Sequence, residues 1–271
     1  MGVSKILLNG VVQMDITDTT ATAEDVASGK IFYTADGTRT VGTGKLLTYV
    51  SSGLVAYWDG INNTGNGHSD TVTTWTDLVG GYNLAKTGDG PTWTADSLRF
   101  LGTENGLYVC PSIWEYSTAA TIEMVIRPSI TEACVAATFD RGAASGASGY
   151  YNARRFCLYT DNTVGFIGDP AYTYVNPAGV IADIRKAVAV YNGFTVSRAY
   201  VNNTLLSSLG STSHSFRTNN HQSVFIGGNN ESKTYSYVGE ICAIRVYNRA
   251  LSDVEIAQNM TYDNARFNLG L

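Results

Sequence analysis

From residue 53 to residue 248 the chain alternates short apolar runs with clusters of Gly, Asn, Asp, Ser and Thr. In TIEMVIRP (121–128), Ile122, Met124 and Ile126 alternate with Thr121, Glu123 and Arg127, the period-two pattern of a strand with one face buried. The same reading extends to LRFLG (98–102), RRFCLYT (154–160), TVGFIG (163–168), KAVAVYN (186–192), SRAYVNN (197–203), SVFIGG (223–228) and ICAIRVYN (241–248). Within TVSRAYVNNTLLSS, Asn202-Asn203 marks a hairpin turn, because Asn tolerates positive φ. A helical signal comes only at the end, where Ser252 and Glu255 of LSDVEIAQN form a capping box and Val254, Ile256 and Ala257 are placed to face inward. Many short strands separated by turn residues predict a mainly β protein built as an antiparallel sandwich.

Residues 1–47 read as a separate module. In TATAEDVASGK (20–30), Thr22 caps a short helix with Asp25 at its third position and Gly29 as the terminating glycine. IFYTADGTRTVGTG then sets Asp36-Gly37 between Thr- and aromatic-rich segments, the signature of a hairpin with a type I′ turn. So small a unit has too little core to stand alone, and it is expected to dock onto a partner or to self-associate. GTGKLLTYVSSG (42–53) links it to a second domain, residues 48–271.

Composition narrows the function. Charged residues make up 15% of the 271-residue chain against 44% hydrophobic ones, so the surface must be covered largely by Asn, Ser, Thr, Gly and Tyr. With a net charge of −5 and no run of Lys or Arg, the electrostatic footprint of nucleic-acid binding is missing. MGVSKILLNGVVQMD carries one Lys and a broken apolar run where a signal peptide would have its apolar region, so neither export by that route nor membrane insertion is expected. Cys110, Cys134, Cys157 and Cys242 lie far apart, with no C-x-x-C pair and no His at ligand spacing; they read as small buried hydrophobes on strands, and their pairing state stays open.

GLVAYWDG (53–60), TWTDLVGG (74–81), TIEMVIRP, KAVAVYNG followed by SRAYVNN, FIGG and GEICAIRVYNRALSDVEI (239–256) occur in the order seen in concanavalin A-like, laminin-G-like jelly rolls, which the chain resembles over about residues 53–262. The resemblance implies two packed antiparallel sheets with ligand sites on the rim loops or the concave face. It also implies glycan binding, often with calcium, and polysaccharide hydrolysis in some relatives. The segment VSKILLNGVVQMDITDTTATAEDVASGKIFYTADGTRTVGTG is similar to the short N-terminal module of fibre and decoration proteins of bacteriophages and prophages of Gram-positive hosts. Together the two imply a virion-surface protein assembled in the host cytoplasm. It would be a homotrimer by resemblance, attached to other virion proteins through residues 1–47 and binding cell-surface or mucosal glycan through its head. A tail receptor-binding protein and a capsid head fibre both fit, and a purely structural decoration protein or a polysaccharide depolymerase are the alternatives.

Catalysis is not expected. Relatives that cut polysaccharides resemble one another in a strand bearing carboxylates at alternating positions, and a retaining glycosidase needs two carboxyl groups about 5 Å apart. Glu123 and Glu240 are each alone on their strands, so partners would have to come from elsewhere, with Asp59, Glu104, Asp140, Asp169 and Glu231 the acids to watch. His68, His214 and His221 stand in polar contexts without zinc-binding spacing and read as solvated. GAASGASG (142–149) lacks what a phosphate-binding loop requires and reads as a surface loop.

The long polar stretch after AYWDG admits two readings. Asp59, Asn62, Asn63, Asn66 and Asp70 supply hard oxygen ligands within twelve residues, and Ca²⁺ takes about six to eight oxygens; the metal set is Asp59, Asn63 and Asp70. The alternative is that Asn and Asp satisfy tight turns. For glycan the candidates are aromatic rings with neighbouring amides: Tyr150, Tyr151 and Asn152; Tyr172 and Tyr174; Asn229, Asn230 and Tyr235. The same rings could instead fill a sandwich edge or an oligomer interface. Trp58, Trp75 and Trp93 read as core.

Overall fold

The computed structural model describes residues 5–8, 11–17, 20–23, 26, 30–42, 48–102, 108–110, 119–129, 134–142, 154–158, 164–167, 174–175, 184–192, 195–206, 221–228 and 236–271. The chain divides into two compact units, Met1–Tyr49 and Val50–Leu271.

The first unit holds two antiparallel hairpins. In one, β1 (Lys5–Leu8) pairs with β2 (Val11–Asp15), and a 2.7 Å ion pair between Lys5 and Asp15 closes its open end. In the other, β3 (Ile31–Tyr33) pairs with β4 (Arg39–Val41). The hairpin falls where Asp36-Gly37 predicts it, but the turn differs from type I′. Gly37 alone takes positive φ, at 77°, and its N–H donates to the Thr34 carbonyl at 2.8 Å, while Asp36 accepts from the Thr34 hydroxyl and the Thr38 amide. This is a type I turn closed by a left-handed glycine, with the Asp36 carboxylate replacing the second positive-φ residue as the turn's fastener. Asp25 and Gly29 of the expected short helix lie outside the described residues.

In the larger unit the strands are β5 (Leu54–Asp59), β6 (Thr74–Trp75), β7 (Leu84–Lys86), β8 (Thr92–Trp93), β9 (Leu98–Leu101), β10 (Tyr108–Cys110), β11 (Ala119–Pro128), β12 (Cys134–Gly142), β13 (Arg154–Leu158), β14 (Val164–Ile167), β15 (Tyr174–Val175), β16 (Lys186–Asn192), β17 (Thr195–Val201), β18 (Thr204–Leu205), β19 (His221–Ile226) and β20 (Val238–Tyr247); helix α1 (Asp253–Phe267) follows. They form two antiparallel sheets. The first runs β15-β14-β13-β12-β19-β10-β7-β6 and the second β18-β17-β16-β11-β20-β9-β8, with β5 also on β20. Each eligible strand of the sequence reading becomes a strand here, and the architecture is the expected antiparallel sandwich.

Period-two alternation sets the core. Ile122, Met124 and Ile126 of β11 sit beside Val246, Ile244 and Ile241 of β20 and share one apolar cluster with Leu84, Tyr108, Ala137, Phe139, Val224 and Ile226 of the first sheet. Trp58, Trp75 and Trp93 belong to that cluster, as their sequence context predicts. Asn202 and Asn203, at φ 47° and 65°, make the β17–β18 turn. Cys110 and Cys242 are free and buried on strands, and burial pushes each thiol up to about 12. Cys134 and Cys157 lie on β12 and β13.

The structure corrects the expectation that β11 has one wet face. Thr121 and Glu123 are as buried as Ile122, because α1 lies across the outer face of the second sheet. The capping box is present: Ser252 accepts from the Glu255 amide, and Glu255 accepts from the Ser252 amide. Val254, expected to face inward, is 78% exposed; the buried stripe is Ile256, Asn259, Met260, Asp263 and Phe267. Two residues before Ile256, Val254 falls on the opposite side of a 3.6-residue turn.

Ser252→Ala should cost about 1 kcal/mol of stability in urea unfolding through loss of the cap. The Arg249 side chain, bidentate on Glu255, holds the Glu255 carboxyl down to about 2 from the usual 4.5. The unfolded chain therefore binds this proton first as pH falls, so the pair's contribution is complete above the usual carboxylate range and is lost as pH drops towards the folded value.

Candidate functional site

The polar loop between β5 and β6 is built from its own side chains. Asn63 is fully buried; its amide donates to the Ser69 carbonyl and its oxygen accepts the Ser69 N–H, both at 2.9 Å. Asn62 accepts the Gly67 N–H at 2.7 Å. The ring nitrogens of His68 lie 2.7 Å from the Gly60 carbonyl and 2.8 Å from the Asp70 carboxylate, and its ring stands edge-on to Trp93. His68 is thus a loop clamp and not the solvated side chain that its polar context predicts.

The aromatic core holds this loop from below. The Trp75 indole N–H donates to the Asp59 carbonyl at 3.1 Å, and the Val72 carbonyl accepts from the Trp93 indole at 3.0 Å and the Tyr108 hydroxyl at 3.1 Å. Asp77 fixes the next loop by accepting four backbone N–H groups, those of Tyr57, Val79, Gly80 and Tyr82. This explains the TWTDLVGG motif: a carboxylate that gathers a tight turn against β5, whose carbonyl at Val55 would lie 2.1 Å from any side chain at Gly80.

Of the calcium set, Asp59 is buried and its carboxylate accepts from the Ile61 amide, the Tyr57 hydroxyl and Arg266, with the Arg266 Nε at 2.7 Å. Both polar atoms of the Asn63 side chain are engaged with Ser69, and Asp70 is exposed beside His68. The oxygens of Asp59 and Asn63 are spent on protein donors, so these residues do not fit a calcium ion, and turn chemistry accounts for them. No group of three or more His, Cys, Asp or Glu side chains suited to a metal occurs among the described residues.

The glycan candidates fall differently. Tyr150, Tyr151, Asn152, Tyr172, Asn229, Asn230 and Tyr235 lie outside the described residues. Tyr174 stands on β15, the outermost strand of the first sheet, paired through Gly165. Glu104, Asp169 and Glu231 are also outside the described residues, and Asp140 lies on β12.

Under α1 lies a cluster that sequence reasoning missed. Arg245 of β20 donates through Nε to Glu123 of β11 at 2.9 Å and makes a two-pronged contact with Asp263 of α1, its Nη1 at 2.8 Å. Lys186 of β16 lies 2.7 Å from Asp263 and 3.2 Å from Glu123. Asn259 donates to Glu123 and to the Tyr247 hydroxyl and accepts the Val50 N–H. All four charges are essentially inaccessible, and two cations offset two anions. Arg245 and Lys186 hold the Asp263 carboxyl below its ordinary range against the opposing effect of burial. A second cluster fastens the other end of the helix: Arg127 is bidentate on Asp96, donates to Glu240 at 3.1 Å and caps the Phe267 carbonyl at 3.1 Å. That pairing holds the Asp96 carboxyl low. Glu123 and Glu240, the strand carboxylates considered for acid-base work, are therefore each neutralised by Arg side chains. No signal in the strand pattern marks such charges as buried; the one hint is that Glu123, Lys186 and Arg245 all interrupt apolar strands.

Comparison with known proteins fits this geometry. Residues 101–257 match the family described as the Concanavalin A-like lectin/glucanases superfamily. No curated protein matches the chain in sequence. Among solved structures, Trypanosoma rangeli sialidase in complex with sialic acid superposes with a TM-score of 0.58 at 15% identity, over 81% of this chain and 34% of that one. The botulinum neurotoxin serotype D/C VPI 5993 binding domain gives 0.53 at 10% identity, over 78% and 52%. The botulinum neurotoxin DC binding domain in complex with SialylT gives 0.52 at 12% identity, over 77% and 51%. The chain spans about a third of the sialidase and about half of the toxin domains. At such identities the likeness is one of fold.

Proposed function

Because the chain belongs to the concanavalin A-like lectin/glucanase superfamily, we propose that it is a non-catalytic glycan-binding protein of a virion surface, attached through residues 1–47 and presenting the sandwich as its head. The observation that carries the glycan reading is the match of family and architecture together: two antiparallel sheets, with a polar loop after β5 bonded through its own Asn, His and Ser side chains. Two structures of like fold were solved in complex with sialic acid and with SialylT, so sialylated glycans head the set to test.

The non-catalytic reading is supported by the state of the buried and half-buried carboxylates at the second sheet, β5 and α1. Asp59 is locked to Arg266, Glu123 and Asp263 to Arg245, and Asp96 and Glu240 to Arg127. The two-carboxylate retaining mechanism needs one carboxyl group free to attack and another free to donate a proton. The virion context is supported by the resemblance of the N-terminal segment to phage fibre and decoration modules, and the homotrimer comes from the same source.

The test is binding of the full chain to a glycan array with and without EDTA. Selective binding is expected, with the signal on a dense glycan surface exceeding that of the same glycan free in solution by about a hundredfold if the chain is multivalent. Loss of signal with EDTA would restore a calcium role through residues other than Asp59 and Asn63. An array without signal in either condition would favour a purely structural decoration protein, and release of reducing sugar from any bound polymer would favour a depolymerase.

A further inference from the structure

The two faces of the second sheet are held by different forces. Towards the first sheet it presents Ile122, Met124, Ile244 and Val246, and the side chains joining the two sheets are apolar or aromatic. Towards α1 it presents charges at the alternate positions. Glu123 and Arg245 face each other across β11 and β20, Lys186 stands on β16, and the two cations bridge Glu123 to Asp263 of the helix. The seam is ionic at its start as well, where Arg198 of β17 contacts Asp253 and the Leu251 carbonyl, and Arg249 holds Glu255. The seam also has an apolar part, in which Ile256 packs with Val50, Val188, Val190, Tyr200, Tyr247 and Leu251.

We propose that α1 is an acid-released strap: when Asp263 takes up a proton, the helix leaves the outer face of the second sheet while the two sheets stay packed on each other. The groups facing Asp263 and Glu123 set the outcome. Arg245 and Lys186 bond them directly, Asn259 donates to Glu123 and the Tyr247 hydroxyl lies on Asn259. Tyr57 of β5 and Tyr262 of α1 stack on Arg245, and Asp59 beyond them is held by Arg266. The thiol of Cys242, close enough to feel Asp263, is neutral. Protonation of Asp263 removes the negative charge that Arg245 and Lys186 share and leaves both buried cations opposite Glu123 alone. Release follows when this loss outweighs the apolar burial of Ile256, Met260 and Phe267. The direction is fixed by linkage: the docked Asp263 carboxyl is held below 3.8, so the undocked helix binds the proton first and docking weakens as pH falls through that range. The apolar and aromatic side chains that join the two sheets carry no group that titrates in this range.

The experiment is hydrogen exchange of the full chain read by mass spectrometry from about pH 6 to about pH 3, corrected for the intrinsic exchange rate, alongside tryptophan emission. Protection of residues 253–267 should fall by about tenfold or more before that of β11 and β20 changes, with the emission of the buried Trp58, Trp75 and Trp93 steady. A single transition shared by helix, strands and tryptophans would overturn the proposal. A fourfold variant, Glu123→Leu, Lys186→Met, Arg245→Met and Asp263→Leu, should keep the helix protected to lower pH than the natural chain. If this variant released the helix at the same pH, the charges would not be the trigger.

Discussion

Replacing Asp263 with alanine should destabilise the larger unit by about 3–5 kcal/mol, the loss expected when one partner of a buried ion pair is removed. Asp263 has no access to water and carries two cations, Arg245 through both terminal nitrogens and Lys186 at 2.7 Å. Alanine leaves Glu123 alone to balance them. Neither cation can reach solvent while α1 lies across the outer face of the second sheet. Urea unfolding monitored by circular dichroism would measure the effect. The conservative Asp263→Asn keeps the shape and two hydrogen-bonding atoms but not the charge. It should be nearly as damaging, and a loss below about 1 kcal/mol would show that the cluster is held by hydrogen bonding and not by charge.

Trp75→Ala should rank beside it, at about 3–5 kcal/mol, because it empties a fully enclosed site. The Trp75 ring is edge-on to Trp93 at 5.1 Å, Trp93 is in turn edge-on to Tyr108 at 5.9 Å, and the Trp75 N–H ties down the Asp59 carbonyl where β5 ends and the polar loop begins. Trp75→Phe keeps most of the packing and loses the hydrogen bond, so a smaller loss of about 1–2 kcal/mol is expected. In both variants the amides of the loop, those of Thr64, Gly65, Gly67 and Ser69, should exchange faster than in the natural chain. Unchanged exchange there would mean that the Asn62, Asn63 and His68 contacts hold the loop without help from the core.

Much of the sandwich is legible from alternation alone, since Ile122, Met124 and Ile126 mark an inward face whatever covers the other. What covers the other is not legible. An alternating Glu reads the same whether it meets water or an Arg on a distant strand, and Glu123, Lys186, Arg245 and Asp263 are widely separated along the chain. The same blindness made Val254 look inward-facing: the cap at Ser252 locates the start of α1 but not its rotation about its axis. Turn chemistry was readable at Asn202-Asn203, where two residues must take positive φ, and less so at Asp36-Gly37, where a side-chain carboxylate offers another solution. In the loop after Asp59, oxygen-rich composition fits a metal and a self-bonded turn equally, and only the position of Arg266 and Ser69 separates them.

The placement of β20 carries a consequence for how the protein is made. One edge of β20 is filled by β11, while the other is shared between β9 at its start and β5 at its end, so that Ala56, near the beginning of the larger unit, pairs with Val246, near its close. A ribosome adding about 5–20 residues per second delivers this strand last. Until it arrives, β5, β9 and β11 have no common neighbour, and the apolar faces they will bury wait uncovered. Folding of the sandwich therefore waits for β20 and is slow, as befits a topology of distant pairings, and the nascent chain has most need of chaperone cover just before that strand emerges.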